Sequence, residues 1–246
     1  MRFRLLTYNI HKGIGVDRKF LPERIVEILK HYEPDIALLQ EVDDGVPRSG
    51  LLNLSVYLAR RLGYPHQALG LNVFLRRSRY GNATLSRHPI GRQRNIDLTI
   101  RGTKGRGAQH TRILVGTAGR RRAVDVFNIH LSLLARMRHV QITRLLATDD
   151  VRGLDEQRPC IIAGDMNDWR GLLRERLFLP AGFTCATNLS GRRSAIRTFP
   201  SFAPTGALDK IFYRGRLRLL HVAASRLRLT RVASDHLPVV SDWELV

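Results

Sequence analysis

Several runs of this chain are short, almost wholly apolar and closed by a polar residue. Ile36-Ala37-Leu38-Leu39 ends on Gln40-Glu41, and Cys160-Ile161-Ile162-Ala163 ends on Gly164-Asp165. Such runs are too short for a core helix and lack the alternation of a strand with one wet face, so they suit strands buried on both faces. A chain with strands of that kind must cover its sheets on both sides. Phe3 to Ile10 reads as a further strand, as do segments around Asn72 to Leu75, Asn82 to Ser86, Ile113 to Val115, Val124 to His130, Ala207 to Tyr213 and Leu237 to Val240. Helical spacing occurs in three places. Pro22 opens a helix with Ile25, Ile28 and Leu29 on one face, which closes near Glu33-Pro34; Leu51 to Leu62 and Leu133 to Leu146 are the others. Many strands and few helices imply packed sheets flanked by helices. The 246 residues contain no internal repeat or linker, which predicts one domain over 1–246.

The polar residues that end the apolar runs are of a restricted kind. Asn9 and His11 follow Phe3 to Tyr8, Glu41 follows Ile36 to Leu39, and Asn128 and His130 end the Val124 run. Asp165 and Asn167 follow Cys160 to Gly164, Asp209 lies beside Ile211-Phe212, and Asp235-His236 precede Leu237 to Val240. Each has an ordinary reading alone: a turn-forming Asn9, a capping Asp165, a core histidine at His130. Together they place carboxylates and amides where strand ends converge at one rim of a sheet. Carboxylates gathered there repel unless a cation neutralises them, and oxygen donors of this type suit Mg²⁺ or Mn²⁺. Zinc fits less well: there is no His-Glu-x-x-His helix, the nine histidines are scattered, and two cysteines are too few. Cys160 is expected to be a small buried hydrophobe.

Forty-one basic and twenty-one acidic residues leave a formal charge of +20. A field of that sign favours polyanions, nucleic acid or an anionic membrane surface, although an arginine-rich composition would produce it without any partner. The basic, glycine-rich segment Arg101 to Gly107 reads as a mobile surface loop able to follow a phosphate backbone, with Arg106 as a candidate substrate contact. Arg120-Arg121-Arg122 reads as a solvated hairpin turn. No apolar run approaches the ~18 residues that cross a bilayer, so a cytoplasmic location without stable membrane association is the default, and a monomer is expected.

Seven segments carry a resemblance to the endonuclease/exonuclease/phosphatase superfamily, which includes pancreatic deoxyribonuclease, apurinic endonucleases, neutral sphingomyelinases and inositol polyphosphate phosphatases. They are Thr7-Tyr8-Asn9-Ile10-His11, Leu39 to Asp43, Tyr80-Gly81-Asn82-Ala83, Asn128-Ile129-His130-Leu131, Gly164 to Asp168, Ala207 to Phe212 and Ser234 to Pro238, in family order over nearly the whole chain. The resemblance implies an α/β (α+β) four-layer sandwich: two mostly antiparallel sheets face to face, helices outside, the site at one edge. It also implies phosphoester hydrolysis with Mg²⁺ or Mn²⁺. Carried over by motif, Glu41 is the primary metal ligand, with Asn9 and Asp235 nearby. Asp165 orients or deprotonates the attacking water, and Asn167 holds that water or a phosphate oxygen. His236 pairs with Asp209 and acts as base or as donor to the phosphate, and His130 is a second donor. His11, Asn82 and Arg106 are assigned to substrate binding. Lys210 stands where many relatives carry an aromatic or aliphatic residue; strand alternation turns it away from Asp209, which predicts a surface position.

The leading expectation is a nuclease, with DNA favoured, because the chemistry and the charge agree. A lipid-headgroup or inositol-phosphate phosphoesterase is the enzymatic alternative. A catalytically silent nucleic-acid-binding protein is disfavoured, since it has no chemical reason to keep Glu41, Asp165, Asn167, Asp209 and His236 together.

Overall fold

The computed structural model describes residues 1–75, 78–188 and 195–246. One six-stranded sheet is formed by β1 (Arg2–Asn9), β2 (Ile36–Asp44), β3 (His66–Leu75), β4 (Ser78–Ser86), β11 (Leu217–Ala224) and β12 (Val239–Leu245), in the order β11-β12-β1-β2-β4-β3. The other is formed by β5 (Ile90–Asp97), β6 (Gly107–Thr117), β7 (Arg120–His130), β8 (Cys160–Asp165), β9 (Thr184–Cys185) and β10 (Asp209–Arg214), in the order β5-β6-β7-β8-β10-β9. Each sheet is antiparallel except for one pair near its middle, β1 with β2 and β7 with β8.

Alternation along the central strands explains their unbroken apolar runs. Phe3 and Leu5 of β1, Ile36 and Leu38 of β2, Val124 and Val126 of β7, and Ile161 and Ala163 of β8 meet in one cluster between the sheets. Their neighbours in sequence point outward: Leu6, Tyr8, Ala37 and Leu39 pack under α1 (Glu23–Tyr32) and α2 (Leu54–Leu62). Phe127, Ile129, Cys160 and Ile162 pack under α3 (Ala135–Leu146) and α4 (Asp149–Arg152). The four layers, helix, sheet, sheet and helix, are thus the expected sandwich. Each fully buried aliphatic side chain of these strands contributes roughly 1.5–3 kcal/mol over an exposed one, so burial on both faces is what makes the central strands the firmest part of the fold.

The helices obey local rules. α1 follows Pro22, buries Ile25, Val26, Ile28 and Leu29, and stops where Glu33 turns left-handed (φ 46°) and returns its N–H to Leu29. α2 starts later than its apolar spacing predicts, because the Asn53 side chain accepts the Val56 N–H and caps the helix there. α5 (Thr230–Ala233) is a single turn before the last strand.

Three sequence expectations change. β5 and β11 were not legible: β5 is an edge strand whose Arg92, Gln93, Arg94 and Asn95 are exposed, so it shows no apolar period. Lys210 does point away from Asp209, but it is only 4% exposed. Phe212, two residues further along the same face of β10, packs in the buried cluster beneath the helices, so the side opposite Asp209 is not the surface. The Arg101 to Gly107 segment is also held: Leu98 N–H donates to Arg106 O, and the Arg106 side chain is buried. Arg120 to Arg122 begin β7 directly after the hairpin, with Arg120 and Arg121 exposed as expected.

Candidate active site

Strand register brings the polar strand ends together. Parallel pairing of β1 with β2 sets Asn9 beside Gln40, next to Glu41. Parallel pairing of β7 with β8 sets His130 opposite Asp165, and antiparallel β10 sets Asp209 opposite the same Asp165. The two sheets therefore deliver their site residues to a common edge. Ser234, just before Asp235-His236, donates its hydroxyl to Asn9 O at 2.7 Å and pins that segment to the end of β1.

Asp165 is the hub. Its Oδ1 accepts the Asn167 N–H at 2.9 Å, and its Oδ2 accepts the Asn9 amide at 3.0 Å. Oδ2 also lies 3.5 Å from His130 Nε2 and 3.7 Å from His236 Nε2. Burial raises the Asp165 pKa, partly offset by the two histidines. His236 donates Nδ1–H to Asp209 Oδ2 at 2.8 Å, and the Thr198 hydroxyl donates to the same oxygen at 2.5 Å. Burial alone would lower the His236 pKa, but the carboxylates of Asp209 and Asp165 outweigh it and lift it to about 10. His130 goes the other way: burial, then the positive charge of Arg106, lower it to about 4. At neutral pH one imidazole beside Asp165 is charged and the other is neutral.

Glu41 sits where the β2–β4 register slips between Leu39 and Val42, in a left-handed backbone conformation (φ 59°). A bulge of this kind re-aims one side chain, and a non-glycine residue in that region stores strain that marks functional positions. Asn167 repeats the pattern (φ 50°). Burial opposes ionisation of Glu41, but neighbouring positive charge wins and holds its pKa at about 2. The largest of these charges where Glu41 titrates is His130, followed by Lys12, whose ammonium contacts Glu41 Oε2 and remains beside it at pH 7. His11 anchors the turn carrying Lys12, its ring bonded to Ile14 O at 2.9 Å. Asp235 is partly exposed beside Ser234.

The remaining candidates are placed less directly. Asn82 is buried and donates its amide to Asn128 O at 3.1 Å, so that group ties β4 to β7 across the sandwich. Arg106 is 8% exposed, and its Nε has no hydrogen-bond partner. Trp169 is 54% exposed and packs edge-on against Phe199, whose ring lies 5.0 Å from His236. Sequence reasoning missed Lys12, Tyr80 and Thr198. Lys12 was legible only as the residue after His11, and Thr198 lies in a loop with no periodicity.

Two groupings of acidic side chains are candidates for a cation. Asp165, Asp209 and His236 bring ligand atoms within 4.8 Å of one another. There Asp209 Oδ2 is already taken by His236 and Thr198, and a charged imidazole is a poor cation neighbour; this trio reads as a proton relay. Glu41, with Asn9 on the adjoining strand end and Asp235 on the segment that Ser234 pins to it, fits better. Its donors are all hard oxygens, and Lys12 already meets Glu41 with positive charge, so the carboxylate is built to face a cation.

A two-sheet sandwich with an acid, two histidines and an oxygen-donor group at one rim is an arrangement suited to phosphoester chemistry. The chain matches the model of the endonuclease/exonuclease/phosphatase family over residues 6–236, and it belongs to that family. It is 32% identical over 253 residues to the uncharacterized protein YbhP of Escherichia coli (strain K12), covering 99% of this chain and 96% of that one, and the Shigella flexneri YbhP matches equally. Among solved structures, an endonuclease/exonuclease/phosphatase protein from Beutenbergia cavernae superimposes with TM-score 0.79 at 24% identity, over 99% of this chain and 72% of its own. The D. rerio TDP2 complexed with single strand DNA product superimposes with TM-score 0.72 at 18% identity, over 99% of each.

Proposed function

We propose that the chain is a divalent-metal-dependent phosphodiesterase acting on nucleic acid. The observation that carries the reading is the pair of histidines flanking the buried Asp165 carboxylate, one of them oriented by Asp209. Hydrolysis of a phosphodiester needs a positioned water, a group to take its proton, and donors for the charge that builds on the phosphate. Asp165, its pKa raised, takes the proton; the Asn167 side chain donates to Leu131 O, and its backbone N–H fixes Asp165 Oδ1. His236, charged and held by Asp209, donates from Nε2 to the phosphate. His130, neutral, has one N–H to offer on the other side of Asp165. Glu41, Asn9 and Asp235 would hold a divalent cation, which supplies a Lewis acid at a phosphate oxygen.

Nucleic acid is favoured as substrate by the +20 charge, by the buried Arg106 guanidinium, and by the likeness of the fold to a protein crystallised with a DNA product. The test is a panel of single-stranded DNA, plasmid, RNA, sphingomyelin and inositol phosphates, each with Mg²⁺ and with chelator. Mg²⁺-dependent cleavage of a nucleic acid is expected. Cleavage confined to sphingomyelin or inositol phosphates would overturn the substrate assignment, and full turnover in chelator would remove the metal.

A further inference from the structure

Among the described residues, three cations beside the site surround one aromatic ring. Tyr80, on β4, is buried, and its hydroxyl has no hydrogen-bond partner. The Lys104 ammonium lies 4.6 Å from the ring centroid, the Arg48 guanidinium 5.7 Å and the Lys12 ammonium 6.0 Å. Two of these cations are spoken for. Arg48 makes a two-pronged pair with Asp43, at 2.9 and 2.7 Å, and Lys12 is on Glu41. Lys104 and Arg106 have no carboxylate within 4.0 Å among the described residues, and the Arg106 Nε is buried without a partner.

The backbone holds these two cations in place. A Cβ at Gly105 would lie 1.9 Å from Asn72 O, and one at Gly107 would lie 2.1 Å from Asn72 Oδ1. Only glycine allows the segment to press against β3 so closely, and that contact sets Lys104 over Tyr80 and Arg106 toward His130. Partial burial and the Arg106 charge lower the Lys104 pKa, against the opposing pull of the Glu41 carboxylate. A buried N–H without an acceptor costs free energy until something completes it.

The scissile phosphate is already provided with His130, His236 and the Glu41 group. Lys104 lies over the Tyr80 ring and is paired with none of that set. We propose that Lys104 and Arg106 form a subsite for a second phosphate, the one neighbouring the scissile phosphate along a nucleic acid strand. The inference rests on the phosphodiesterase reading and narrows it: a diester with a lone phosphate leaves Lys104 unmatched, whereas a polynucleotide supplies a flanking anion at every step.

The experiment compares dTpdT, which has one phosphate, with pdTpdT and dTpdTp, which add a second at one end or the other. Binding to the Asp165→Asn protein is measured with Mg²⁺ at constant ionic strength. One added phosphate should tighten binding about tenfold, the size of a charge-assisted hydrogen-bond set. Lys104→Ala should cut that gain to about twofold, and Arg106→Gln should do likewise where circular dichroism shows it folded. Lys30→Ala, an exposed residue paired with Glu27, removes the same charge and should keep the full gain. Lys104 is exposed, so its variant tests the subsite even if Arg106→Gln misfolds. No gain from either added phosphate, or a gain that survives Lys104→Ala, overturns the subsite. A gain seen with inositol bisphosphate over the monophosphate but with neither dinucleotide overturns the choice of nucleic acid. Hydrolysis of bis(p-nitrophenyl) phosphate by the unmodified protein is scored separately: its presence keeps the phosphodiesterase reading when the subsite fails, and its absence fails both.

Discussion

The side chains around Asp165 divide the protonation states that a single imidazole cannot hold at once. Carboxylates on two sides keep His236 charged up to about pH 10, while burial and Arg106 keep His130 neutral down to about pH 4. The sign for His236 follows from linkage: a histidine pKa raised on folding adds stability that is complete below about 6.5 and is lost as pH rises through about 10. Nitrogen-detected NMR of the histidine rings, with chelator present, should show His236 fully protonated and His130 neutral at pH 7. A His236 that titrates near pH 6.5 would remove it as the charged donor. The sequence exposes these residues one by one but not the difference between them. Asp209 and His236 are separated by 26 intervening residues, and only the β8–β10 pairing and the turn before β12 bring the carboxylate onto Nδ1. Arg106 was legible as a basic loop residue, whereas its burial against His130 depends on how β6 begins.

Among the elements, the strands buried on both faces were the most legible, because each of their residues is apolar for a packing reason. β5 and β11 were not, since edge strands with solvated faces have no such constraint. Lys210 failed for the same reason in reverse: alternation gives the direction of a side chain, but not whether that face is covered. The bulge in β2 at Glu41 was invisible, because a one-residue slip in pairing leaves no compositional trace. It nevertheless decides where the carboxylate points. Glu41→Gln keeps the shape of the side chain and the bulge while removing its charge. The variant should unfold within a few degrees of the parent and bind Mn²⁺ at least about tenfold more weakly, measured by electron paramagnetic resonance. Equal Mn²⁺ affinity in the two proteins would place the cation elsewhere.

On the scale of the molecule, the sandwich brings the strand ends of two sheets to one rim, and the chain carries a net charge of +20. Among the described residues no helix is long and apolar enough to cross a membrane. If a duplex is held through about five phosphates, the log of the binding constant should fall with log salt at a slope near roughly −4, because each neutralised phosphate releases counterions. A flat slope for the Asp165→Asn protein would reduce the arginine excess to composition. The central claim is narrower: phosphodiester hydrolysis occurs at the rim where Asp165, His130 and His236 meet. Its most direct test is the rate of single-stranded DNA cleavage by the parent and by folded Asp165→Asn, purified identically, in Mg²⁺. Loss of the group that takes the proton from water should lower kcat roughly a hundredfold or more. Cleavage by Asp165→Asn at the parent rate would contradict the account and assign the activity to another site or to a contaminant.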